Sequence, residues 1–236
     1  MKKGKLLSLL LAAVVGAGSL AMTAQAAPAE LPAQTAKTAA FVKASDWVLK
    51  DDWAIFALGR NQEEGCEKLY EDYYQGVLAL LADPAKLIPS DYIRLSLSLT
   101  AIGIDPRNIE GNDLLEKIDQ ADREMYFKMS TSSLAYALAL MERYPDSFSG
   151  TLKEDTIQKI LGAQQADGSF DYTVGGGYPD PDSTAQAMQG LMLLGDTYAS
   201  EIQAAVDWLK AQMNEDGAIL NLSLIHISEP TRLDVI

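Results

Sequence analysis

Four aspartates crowd one stretch of the chain, Asp167, Asp171, Asp180 and Asp182, the last two within Asp180-Pro181-Asp182-Ser183. Hard cations such as calcium take several oxygen ligands, so a cluster of this kind is a conceivable cation site. Its spacing matches no calcium loop, and a solvated turn is the plainer expectation, with no cofactor. A second use is local. Asp182 or Ser183 can cap the helix that follows, and Asp180 favours its dipole, because free N–H groups at a helix start attract acceptors and negative charge. Cys66 is the only cysteine and His226 the only histidine. A lone cysteine gives no internal disulfide, and between Glu64 and Glu67 it reads as a small, partly buried apolar residue.

These residues need elements to hold them. Four apolar segments read as inner helices, Asp52–Gly59, Asp91–Gly103, Ser133–Tyr144 and Thr184–Gly195, each opening on Asp, Ser or Thr. Their apolar residues run around most of the helix, as in Leu134–Met141, which predicts burial on several sides. Between them lie amphipathic segments at Lys68–Ala82, Asn112–Gln120, Thr156–Gln164 and Ser200–Met213. These predict outer helices, apolar inward and wet outward. A two-helix step recurring every 40 to 50 residues, roughly, is the signature of stacked helical hairpins. The expected fold class is all-α.

The ends read differently. Lys2, Lys3 and Lys5 precede an apolar run from Leu6 to about Met22, closed by Ala24-Gln25-Ala26. That is the pattern of a signal peptide over residues 1–26, predicting a secreted or cell-surface bacterial protein without a stable membrane span after cleavage. Residues 27–45, rich in Ala, Thr and Pro, read as a flexible lead-in. Leu222–Ile236 resembles the translation of a sequencing-library adapter. The expectation is a domain over 46–221, cut at about Asn221, with a non-native tail over 222–236 and downstream domains lost. His226 would then be no residue of the natural protein. The net charge is −14, which argues against a nucleic-acid partner, since phosphate binding relies on basic patches.

Gln164-Gln165-Ala166-Asp167-Gly168-Ser169-Phe170 fits a Gln-x-x-x-Gly-x-aromatic turn. A shorter version, Gln212-Met213-Asn214-Glu215-Asp216-Gly217, has an extra residue and lacks the aromatic. This turn resembles the repeat of the prenyltransferase, squalene-cyclase and cobalamin-carrier superfamily, which implies helical hairpins forming part of an α/α toroid. Class II terpene cyclases of that superfamily protonate an alkene or epoxide with an Asp-x-Asp-Asp motif. By that resemblance Asp182 would be the acid, beside Asp180, but Ser183 replaces the final aspartate. Such an acid must be held neutral by burial and needs aromatic faces for the cation, and aromatics are only 8% of the chain. The zinc site of the protein prenyltransferases asks for Asp, Cys and His ligands that this chain does not supply together. The carriers imply another role, a non-catalytic module binding a small-molecule or cell-surface ligand. Toroids bind at the mouth formed by inner-helix N-termini, so the implied contacts are Asp52, Trp53, Asp91, Tyr92 and Tyr178, with Asp180 and Asp182. The expectation leans towards binding over enzyme activity.

Overall fold

The computed structural model describes residues 31–214 and residue 219. The expected signal peptide, the tail with His226, and Glu215–Ala218 of the second turn lie outside the described residues. Among those described, the fold is all-α, with ten α-helices and only isolated antiparallel bridges in place of strands. The helices are α1 (Leu31–Lys43), α2 (Asp52–Arg60), α3 (Glu67–Leu81), α4 (Pro89–Ala101), α5 (Leu114–Asp119), α6 (Arg123–Phe127), α7 (Thr131–Arg143), α8 (Leu152–Leu161), α9 (Pro181–Met192) and α10 (Ala199–Ala211). None is long and apolar enough to cross a membrane.

The chain divides into two compact units, one ending at Ile118 and the other beginning at Asp119. In the first, α2 packs on α4. Gly59 makes this approach close, for a Cβ there would sit 2.8 Å from the Ala101 carbonyl carbon. Ile55 and Leu58 of α2, Val77 of α3, and Ile93, Leu95 and Leu99 of α4 are buried. Cys66 is free, buried and at the N-cap of α3, in line with the apolar role expected of it. In the second unit, α7 packs on both α8 and α9, and α9 on α10. Leu134, Leu138 and Met141 of α7, Ile157 and Ile160 of α8, and Ala187 and Leu191 of α9 fill that core.

Three sequence expectations need correction. The 27–45 segment is helical over Leu31–Lys43. Alanine has the highest helix propensity, and Lys43 at the helix end is fixed by an ion pair to Glu63 at 2.8 Å. That pair raises the Lys43 pKa and lowers that of Glu63, chiefly through the hydrogen bond between them. Secondly, α4, α7 and α9 begin two or three residues before their expected starts, while α2 begins at Asp52 as expected. The caps are Asp51 for α2, Ser130 for α7 and Asp180 for α9, and α4 and α9 each take a proline into the first turn. Proline is suited there because its missing N–H would have no helical partner. Thirdly, α4 and α7 are buried on several sides, whereas α9 buries only the stripe Ser183, Thr184, Ala187, Gly190 and Leu191. Helix α6 had no counterpart in the periodicity, being five residues long.

Candidate functional site

The turn between α8 and α9 is built from the inside out. Phe170, Ser169 and Asp171 are fully buried. Gln164 pairs with Phe170 and Asp171 with Pro179 as antiparallel bridges, so the chain doubles back twice before α9 begins. The Gln164 amide donates to the carbonyls of Gly168 at 3.2 Å and of Glu201 in α10 at 2.9 Å. The same six-residue bridge recurs between Met213 and Ile219. It puts Met213 in the place of Gln164 and Ile219 in the place of Phe170. The extra residue expected in the second copy therefore disappears, and an aliphatic side chain stands at the aromatic position.

Asp180 and Asp182 exchange the parts assigned to them by sequence. Asp180 is the N-cap of α9, its Oδ1 accepting from the Ser183 N–H at 2.8 Å. Asp182 lies in the first turn, exposed, where a carboxylate favours the helix dipole. Beside it, Tyr136 of α7 has its phenol pKa raised, by burial first and by the Asp182 charge second. Thr184 fixes the cap from below. Its hydroxyl donates to the Asp180 carbonyl at 2.8 Å and accepts from the Phe170 N–H at 2.9 Å.

The fully enclosed carboxylate is Asp171. Its Oδ2 accepts from the Gln165 amide at 2.7 Å and from the Gly177 N–H at 2.9 Å, while Oδ1 has no protein partner. Its carbonyl accepts from the Thr131 hydroxyl at 2.7 Å. These bonds pin the glycine loop Thr173–Gly177 onto the body of the unit. Nothing in the sequence around Asp171 signals its burial. Asp167 stays outside, its pKa lowered by the hydroxyl and N–H of Ser169 and further by the Trp208 indole. Tyr178 is 78% exposed and Tyr172 is 58% exposed.

In the other unit, Asp52 and Asp91 are brought together by Arg94. The guanidinium lies 3.2 Å from Asp52 Oδ2 and 2.7 Å from Asp91 Oδ1. Asp52 also accepts from the Tyr73 hydroxyl at 2.8 Å, and its carbonyl from the Ser98 hydroxyl at 2.7 Å. Asp91 Oδ2 accepts from the Ile88 N–H at 2.9 Å, closing the start of α4. Burial, then the Asp52 charge, drives the Tyr73 phenol pKa far up. Tyr92 is buried, its pKa raised by burial and then by Asp91. Trp53 packs edge-on against Phe56 with ring centres 6.0 Å apart. Arg94 and Tyr73 were missed by the sequence reading. The spacing of Asp91 and Arg94, one turn apart on α4, could have shown the first.

Among the described residues, no three His, Cys, Asp or Glu side chains gather closely enough to hold a metal ion. Asp167, Asp171, Asp180 and Asp182 therefore do not converge on a cation. An open pocket of about 550 Å³ lies between the C-terminal ends of α7 and α9 and the start of α8, lined by Glu142, Lys153, Ile157, Leu193, Leu194 and Tyr198 among others. None of the candidate residues lines it, and Lys153 is paired with Glu142 at 2.6 Å. No family model, no curated protein and no solved structure matches this chain.

Proposed function

We propose that this chain is a non-catalytic binding module of the α/α-toroid type, exported to the bacterial surface or beyond it, with its ligand surface at inner-helix N-termini. The observation that carries this reading is the state of the two carboxylates at the start of α9. Asp182 is open to solvent, whereas a catalytic acid of the cyclase kind relies on burial to stay neutral. Asp180 has one oxygen committed to capping. The acids that start α2 and α4 are likewise engaged by Arg94 and by backbone N–H groups. The toroid and the export route rest on the turn motif and on the basic-then-apolar start of the sequence.

The deciding experiment compares the full chain with its Asp182→Asn variant on a squalene-like polyene. The binding reading expects no turnover by either protein. It expects the variant to lose about 0.3–1 kcal/mol of stability through weaker dipole compensation, read from urea melts. Turnover by the parent chain that the variant abolishes would establish Asp182 as an acid and overturn the reading in favour of a class II terpene-cyclase-like enzyme.

A further inference from the structure

The segment before α9 carries a surface that no capping role explains. Tyr172 donates its N–H to the Tyr178 carbonyl at 3.1 Å, and Asp180 donates its N–H to the Phe170 carbonyl at 3.4 Å. With Asp171 bridged to Pro179, these bonds make Tyr172 and Tyr178 directly opposed residues of a short antiparallel ribbon. Opposed residues project from the same face, with Cα atoms about 5.5 Å apart. Asp180 is extended and follows Tyr178 by two residues, and alternation puts it on that face as well. That face also carries Phe170, opposite Asp180 and fully buried, so it is open at the two exposed phenol rings and closes towards a half-buried carboxylate.

The ribbon is held from behind. Asp171 grips the loop through Gly177, the Thr131 N–H donates to the Tyr172 carbonyl at 2.8 Å, and Thr184 fixes Asp180. Aromatic side chains displayed on such a support lose little freedom on binding, which favours a recognition role over a chance exposure.

Charge selects the ligand. Between Lys159 and Lys210 the sequence has seven acidic residues and no lysine, arginine or histidine. Among the described residues, neither Asp180 nor Asp182 enters an ion pair. The N-terminus of α9 contributes about half a positive charge, which two carboxylates outweigh. A cation is therefore the complementary guest, and π-faces attract cations. A primary ammonium is compact, strongly hydrated and needs acceptors for three donors. Asp180 has one oxygen already taken by Ser183 and supplies charge more readily than a full set of bonds. A methylated ammonium, which carries its charge on an apolar surface, suits two rings and one carboxylate better.

We infer that the Tyr172–Tyr178–Asp180 face binds a ligand bearing a quaternary ammonium group. This rests on the binding reading above and specifies its ligand. The test titrates the full chain with choline at constant ionic strength, following tyrosine ring resonances, against its neutral isostere in which a carbon replaces the nitrogen. Choline should shift the rings of Tyr172 and Tyr178 saturably, and the isostere should bind about tenfold more weakly or worse. Tyr178→Ala should weaken choline binding by about the same factor. Asp180→Asn should weaken it too while leaving the melting temperature nearly unchanged, because Asn caps as well as Asp. Equal binding of the isostere, or unchanged choline affinity in both variants, overturns the inference. So does a response to chitotriose with none to choline, which would make the face a sugar platform and leave the general binding reading intact. Absence of any choline response also overturns it, and the polyene experiment still decides the binding reading separately.

Discussion

Thr184 shows how much one hydroxyl can organise. It is fully buried, and through one oxygen it closes the first turn of α9 and satisfies the backbone N–H of Phe170. Replacing it with valine keeps the volume and strands that N–H in the core. The expected cost is about 1–3 kcal/mol, the range for a buried donor left unsatisfied, read as a lower urea midpoint with unchanged slope. Thr184→Ser, which keeps the hydroxyl, should retain most of the stability. At this scale the sequence was half legible. The acidic cap before an apolar run could be seen, but the assignment of Asp180 and Asp182 could not. Which carboxylate caps depends on where the chain leaves its extended conformation, and that is set by Pro181 in the first turn and by the ribbon behind it. Asp171 was less legible still, since burial of a carboxylate is decided by donors such as Gln165 and Gly177 that no short-range pattern ranks.

At the scale of elements, the turn after α8 docks on α10 by close backbone approach. Gly168 has φ +93°, and a Cβ there would lie 2.4 Å from the Ala204 carbonyl oxygen. Gly168→Ala therefore faces two penalties at once, the left-handed backbone and a collision with backbone rather than with a flexible side chain. We expect a loss of at least about 2 kcal/mol by chemical denaturation, with faster amide hydrogen exchange in α10. Helix existence was readable because period 3.6 in the apolar residues follows directly from burial. The starts were misplaced by a few residues at α4, α7 and α9, since periodicity begins only where packing does. Helix α1 was missed for the converse reason. Its alanine-rich sequence favours a helix by propensity while offering little apolar stripe, and among its residues whose burial is described only Ala39 is buried.

For the molecule as a whole, buried phenols set an alkaline limit. Burial pushes the Tyr126 pKa up to about 12, and Tyr73 is raised further. A group whose pKa is higher in the folded state contributes stability that is complete below its unfolded value, near 10 for tyrosine, and is lost as pH rises beyond it. Thermal melts should therefore hold steady up to about pH 9 and fall steeply between about pH 10 and 12, with Tyr126 alone accounting for about 2–3 kcal/mol. Tyr126→Phe should flatten part of that fall while losing the hydrogen bond to Thr156. The all-α class was legible at this scale because it is a sum of local patterns. Curvature of a hairpin array comes from small rotations between neighbours, and no residue pattern records those. The turn, finally, has a bearing on descent. Gln164 and Asp167 lie in the segment that follows one helix, yet they bond to Glu201 and Trp208 of the helix two further on. The fastener is thus encoded ahead of the helix it grips, and a gene that duplicates such a segment carries the fastener along with it. Lengthening by whole repeats then requires no new interface to be invented, only an old one to be reused.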